Sequence, residues 1–263
     1  MLASLKGSWC LVLGASSGMG RAVALAAAAE GAHVVGVHFD TASAQGQVDE
    51  LLETLRGHGG EAHLVNANAA NPAVRERLIG QLAELCGADG IRVFVHSLAF
   101  GSLAPYLPGG EAPEVTARQM EMTLNVMAHS LVYWTQDLYR GGLLRQGAHI
   151  YALTSAGSVK VAPSYGAVSA AKCALESHVR QLALELAPHG IAVNALRAGV
   201  TPTPALRRIP GHEDLIRRTL QANPHGRLTT PEDVGEAVVL LSQTTSSWIT
   251  GNVIGVDGGE LLP

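Results

Sequence analysis

Short apolar runs alternate with stretches of helical spacing along the whole chain, and that alternation restricts the fold more than any other feature. WCLVL (9–13) is a run of five apolar residues stopped by Gly14, the pattern of a strand buried on both faces. An Ala-rich helix follows over 19–30, then a strand, AHVVGVHF, over 32–39. The same reading continues with a helix over 43–57, strand 62–67, helix 73–86, strand 91–97 and a long helix near 114–140. Strand 148–155, helix 164–187, strand 191–198, a short helix near 212–222, helix 231–242 and strand 252–258 complete it. Strands separated by helices are joined by right-handed crossovers, which build a parallel sheet covered on both faces. The pattern therefore predicts an α/β fold: one doubly wound, seven-stranded parallel sheet in a single domain over 1–263. The one long irregular segment holds five prolines between 202 and 231. Such segments are often lids, and about 200–225 reads as a substrate-loop insertion.

Composition narrows the function classes. The chain is 47% hydrophobic with a formal charge of −4, enough apolar material for a core and the wrong sign for a nucleic-acid binder. Cys10, Cys86 and Cys173 are odd in number and widely spaced, which predicts buried thiols in a reducing compartment. The eleven histidines lack metal-ligand spacing, so no metal is expected. MLASLKGSWCLVLG holds no long apolar stretch before its glycine turn. The expectation is a cytoplasmic protein with neither signal peptide nor membrane span.

The first strand and helix are joined by GASSGMG, with glycines at Gly14, Gly18 and Gly20. Glycines allow a tight turn and a close approach to a pyrophosphate, and the following helix N-terminus offers free N–H groups to the anion. Ser16 and Ser17 add hydroxyl donors. The spacing departs from G-x-G-x-x-G, and a Gly-rich turn without ligand is the bland alternative. At the end of the second strand, Asp40 is the acid placed to bond an adenosine ribose 2′-OH. No Lys or Arg occurs between 22 and 55, which leans to NADH over NADPH. His38 with Arg21 is the alternative cradle for a 2′-phosphate, and Asp40 as a plain loop residue is the alternative to both.

In the helix over 164–187, Val168, Ala171, Leu175, Val179, Leu182 and Leu186 form one apolar stripe. Lys172 lies beside that stripe, where a lysine has no structural purpose. Tyr165 stands seven residues earlier, on nearly the same face and about 10 Å away along a regular helix. Both side chains could meet a ligand lying along the helix. Ser155 ends the preceding strand, at the carboxyl edge where such sheets bind ligands. A snorkelling Lys172 and a packed Tyr165 are the structural alternative.

GASSGMG, Asn125, Ser155, Lys172 and VDGG (256–259) together resemble the short-chain dehydrogenase/reductase superfamily over nearly the whole chain. Ordinary members place the catalytic tyrosine four before the lysine; here Val168 stands there. Tyr165 instead gives Tyr-x6-Lys, a spacing similar to that of the enoyl-[acyl-carrier-protein] reductases of fatty-acid synthesis. HSLAF (96–100) and AGVTPTPALRRIPGHEDL (198–215) also resemble that group, in its subgroup with an ordinary Gly-rich loop. Many enoyl reductases carry a second tyrosine ten before the catalytic one, where this chain has Ser155. The resemblance implies a Rossmann-type fold, a homotetramer, and Tyr165, Lys172 and Ser155 as catalytic residues. It further implies a cofactor contacted by Gly14, Ser16, Ser17, Gly18, Met19, Gly20, His38, Asp40, Asn125, Lys172 and Gly199. Asn68 and Ala69 would lie near the adenine, and Ser97, Leu98 and Ala99 along the cofactor. Val200 would meet the carboxamide through its backbone and Thr203 the pyrophosphate.

The displaced tyrosine has a chemical rationale. In carbonyl reduction, hydride goes to the carbon that bears the oxygen, about 1.2 Å away. In reduction of a 2-enoyl thioester it goes to C3, while charge develops on an oxygen about 3 Å off. A phenol taken from one turn earlier supplies that offset. Tyr165 would stabilise the enolate oxygen, and the Lys172 charge would lower the tyrosine pKa. The implied substrate is an enoyl thioester on acyl carrier protein or coenzyme A. A carbonyl or hydroxysteroid-type oxidoreductase is the first rival; a non-catalytic nucleotide sensor is the second. Arg207, Arg208, Arg217 and Arg218 form either a docking patch for an acidic carrier or a solvated face. Phe100, Tyr106, Met120 and Met122 line an acyl pocket or belong to core and interfaces.

Overall fold

The computed structural model describes residues 3–108 and 113–262. Seven strands form one sheet: β1 (Trp9–Leu13), β2 (His33–His38), β3 (Ala62–Asn66), β4 (Ile91–His96), β5 (Leu144–Ser155), β6 (Ala192–Ala198) and β7 (Val253–Val256). Their order is β3-β2-β1-β4-β5-β6-β7, and the neighbouring pairs are parallel. The order reverses between β1 and β4, which opens a crevice at their carboxyl ends.

Alternation along the strands divides the core into two layers. Leu11 and Leu13 of β1 join Phe94 of β4 and Ile150 and Ala152 of β5 on one face. That face is covered by α3 (Pro72–Cys86), α5 (Ser130–Arg140) and α6 (Gly166–Leu186). Cys10 and Val12 join Val93, Val95, Tyr151 and Leu153 on the other, under α1 (Gly18–Ala29), α2 (Gln45–Gly57) and α8 (Pro231–Ser242). Both faces of each central strand are thus dry, which is why the strands read as unbroken apolar runs.

Three expected elements differ in detail. The long helix near 114–140 starts at Ala117, after a Thr116–Gln119 capping box. It runs as α4 (Ala117–Leu124), a wide π turn over Asn125–His129, and α5. Ser130 Oγ donates back to the Val126 carbonyl at 2.7 Å inside that turn, a bond that competes with the regular ladder. Strand β5 begins four residues early, at Leu144, because Ile91 pairs with Leu144 before a register shift places Val93 opposite His149. Helix α6 begins at Gly166, which leaves Tyr165 as its cap residue with φ −98° and ψ 1°. The short helix α7 (His212–Ala222) lies in the proline-rich segment. Among the described residues no helix is long and apolar enough to cross a membrane.

Candidate active site

The carboxyl ends of β4, β5 and β6 surround a cavity of about 530 Å³. Ser97, Leu98 and Ala99 line it after β4; Thr154 and Ser155 line it at the end of β5; Gly199, Val200 and Thr203 line it after β6. Tyr165, Val168 and Lys172 form its α6 wall. The structure therefore brings Tyr165, Lys172 and Ser155 to one space.

How Tyr165 comes to face it is a matter of backbone. Ser164 has φ 59°, left-handed and strained for a residue with a side chain, and it turns the chain just before the helix. The Tyr165 ring then lies close over Gly157, where an added Cβ would stand 2.5 Å from Cε1. Burial pushes the Tyr165 phenol above its ordinary value, and the Ser155 hydroxyl pulls it part of the way down. The expected lowering by Lys172 is therefore corrected: desolvation dominates, and the Lys172 ammonium points elsewhere. Its Nζ donates to the Leu153 carbonyl at 2.6 Å. Lys172 is 7% exposed, and burial pulls it down to about 8 while Glu176 pushes it up.

The glycine turn sits beside this space. A Cβ on Gly14 would stand 2.4 Å from the Ser97 carbonyl, and one on Gly20 would stand 2.0 Å from the Gly14 carbonyl. Gly18 faces Thr203 at 3.2 Å in the same sense. No Cβ fits at Gly14 or Gly20, and Gly18 has φ 54°, the left-handed region that favours glycine. Ser17 precedes α1 without capping it by its side chain, so the first N–H groups stay open to an anion. Ser16 and Ser17 flank this turn, and Met19 lines the cavity. A cleft of this shape, with an uncapped helix end at its rim, fits a dinucleotide.

The residues expected at the adenosine end lie outside the cavity. His38 is 4% exposed, and its Nδ1 lies 2.8 Å from Asp40 Oδ2. His38 thus turns to Asp40 and does not pair with Arg21 in a phosphate cradle. Asn68 Oδ1 accepts from the Ala70 N–H at 3.0 Å, and the Ala69 carbonyl accepts from Trp134 Nε1 at 2.8 Å. Asn125 opens the π turn and is not part of the cavity wall.

The remaining candidates divide. Arg208 and Arg218 line the cavity, whereas Arg217 pairs with Asp214 at 2.7 Å and Arg207 stands outside. Phe100 lines the cavity while Tyr106, Met120 and Met122 do not; Tyr106 packs on the backbone at Gly166. Several interactions escaped the sequence reading. Glu260 lines the cavity and accepts from the Val200 N–H at 2.8 Å. Thr154 donates to Glu176 Oε1 at 2.7 Å. His96 Nε2 lies 2.7 Å from Ser130 Oγ. Only Glu176 carried a signal, being four residues after Lys172 and hence on its face of the helix.

Comparison with known proteins decides the family. The model of the family described as enoyl-(acyl carrier protein) reductase matches residues 14–260. The chain belongs to that family. With it comes membership of the short-chain dehydrogenase/reductases, oxidoreductases that use a nicotinamide dinucleotide. The chain is 35% identical over 167 residues to the enoyl-[acyl-carrier-protein] reductase [NADH] of Aquifex aeolicus, covering 64% of this chain and 61% of that relative. It spans less than two thirds of that protein's length in the match. It is 28% identical over 267 residues to versicolorin reductase 1 of Aspergillus parasiticus, covering 97% of each. The crystal structure of the enoyl-[acyl-carrier-protein] reductase (NADH) from Aquifex aeolicus superposes with a TM-score of 0.86 at 28% identity, over 99% of both chains.

Proposed function

We propose that this protein reduces the C2=C3 double bond of a trans-2-enoyl thioester. One observation carries the reading. The position four before Lys172 is held by Val168, an apolar wall 5% exposed, and the phenol facing the same cavity belongs to Tyr165. A donor displaced by one turn suits an oxygen two carbons from the reduced atom. NADH or NADPH, when bound, supplies the hydride. Tyr165 donates a hydrogen bond to the thioester oxygen as negative charge develops there, and protonation at C2 completes the saturation. Ser155 holds the phenol's direction. Lys172 binds the cofactor's ribose hydroxyls. Gly14, Gly18 and Gly20 admit the pyrophosphate to the end of α1, with Ser97 to Ala99, Gly199, Val200 and Thr203 along its path.

Asp40 supports NADH, since a carboxylate repels a 2′-phosphate. Asn68, Ala69 and Asn125 complete the cofactor's surroundings in this reading. Arg208 and Arg218 at the cavity wall suit the acidic or phosphorylated carrier of the thioester, acyl carrier protein or coenzyme A. The segment over 200–225 acts as the lid. A cytoplasmic homotetramer in fatty-acid synthesis rests on resemblance alone.

Carbonyl reduction is the second reading, favoured by the full-length similarity to versicolorin reductase 1. The deciding assay offers crotonyl-CoA and acetoacetyl-CoA with NADH and with NADPH, following loss of reduced-cofactor absorbance. The enoyl substrate should be consumed, and Tyr165→Phe should lower kcat by at least about a hundredfold. Turnover of the keto substrate alone would assign the protein to the rival reaction. No oxidation of either cofactor would leave it a nucleotide sensor.

A further inference from the structure

A buried ammonium persists only where acceptors and counter-charge replace its lost water. For Lys172, two consecutive residues of β5 organise both. The Leu153 carbonyl accepts from Nζ at 2.6 Å. The next residue, Thr154, is 2% exposed, and its hydroxyl donates to Glu176 Oε1 at 2.7 Å. Glu176 stands one turn beyond Lys172 on α6, so both side chains project from the same helix face. Of the other titratable groups, His96 feels the Lys172 charge and Tyr165 shares the cavity wall with it. His96, from the end of β4, is 1% exposed and its imidazole stays neutral, lowered to about 3 by burial and by the Lys172 charge. Tyr165, from the start of α6, is a neutral phenol. Glu260 lines the cavity as well but accepts from the Val200 N–H; Glu176, at i,i+4 on the same helix and raising the Lys172 value, is the counter-charge.

We propose that Glu176, pinned by the Thr154 hydroxyl, is a positioning residue that keeps Lys172 a cation inside the site. This rests on the reading of Lys172 as a cofactor-binding group, but its test does not. Without the carboxylate, only the Leu153 carbonyl offsets burial of the ammonium, so Lys172 releases its proton at lower pH. Cofactor binding and turnover then fade at lower pH as well, since the neutral amine is a weaker donor to the ribose.

The chain holds three lysines, Lys6, Lys160 and Lys172, and the first two are exposed. In protein labelled with 13Cε-lysine, three NMR signals are expected, and the one lost in Lys172→Arg is that of Lys172. Its midpoint should fall by about one pH unit in Glu176→Gln and recover most of that in Glu176→Asp. The alkaline limb of kcat/KM with NADH and crotonyl-CoA should move the same way. Thr154→Val, which keeps the carboxylate but frees it, should give a smaller shift of the same sign and serves where Glu176→Gln does not fold. Superimposable Lys172 titrations in wild type and in the variant that folds overturn the proposal. A shifted Lys172 signal with an unmoved kinetic limb upholds it and instead overturns the role given to Lys172 in the reaction.

Discussion

Acid should weaken this protein through His96, and the size of the effect follows from the surroundings of one imidazole. The Ser130 hydroxyl hydrogen is committed to the Val126 carbonyl, so Ser130 Oγ must accept from His96 Nε2–H at 2.7 Å. That fixes the neutral tautomer and leaves Nδ1 without a hydrogen-bond partner among the described residues. Burial first, and then the Lys172 charge, hold His96 down at about 3 against 6.5. The folded-state value is depressed, so between the two the unfolded chain binds more protons. Stability is intact above 6.5, falls as pH drops through that window, and levels below 3. The full difference is on the order of 5 kcal/mol, of which about 2 kcal/mol is lost by about pH 5. That compares with about 5–15 kcal/mol for a whole domain. His96→Gln keeps a donor near Nε2 and does not titrate. Urea unfolding at fixed protein concentration, at about pH 7.5 and about pH 5, should show wild type losing about 2 kcal/mol more than the variant. Asp233, held at about 2 by its Arg227 partner, acts only below this interval, and His149, lowered to about 4 by burial, acts equally in both proteins. Equal losses in the two proteins would refute the reasoning.

Two further outcomes test the site directly. Gly157→Ala places a methyl 2.5 Å from Tyr165 Cε1 and 3.2 Å from Ser155 Oγ. The ring must shift, and kcat should fall by about a hundredfold while the NADH dissociation constant, read by fluorescence, changes by less than about threefold. An unchanged kcat would remove the Tyr165 ring from the chemistry. If Asp40 selects against a 2′-phosphate, Asp40→Asn should shift the ratio of NADH to NADPH dissociation constants toward NADPH by about tenfold, about 1.4 kcal/mol; an unaltered ratio counts against Asp40 as the selector.

The fold was legible because its determinants are local. WCLVL marks β1 to the residue, since a strand dry on both faces must be apolar at every position. The glycines of the first turn were legible for a similar reason: each answers a steric demand only glycine meets. The wide turn over Asn125–His129 was not, because the residues at both its ends stay in the helical region and no breaker marks it. Nor was the surrounding of Lys172. Its misfit on an apolar stripe was visible, and Glu176 stands at helical spacing from it, but the Leu153 carbonyl that accepts from Nζ comes from β5, 19 residues away, as does the Thr154 hydroxyl that holds Glu176, and no periodicity links them. Tyr165 falls between these cases. Its distance from Lys172 is written in the chain, whereas its direction depends on Ser164 adopting φ 59° and on Gly157 leaving room for the ring. Spacing therefore chose the residue, and non-local sterics aimed it. Residues that aim a side chain into a site from a neighbouring element leave no pattern of their own, which is why Gly157 and Thr154 emerged only once β5 and α6 were in place.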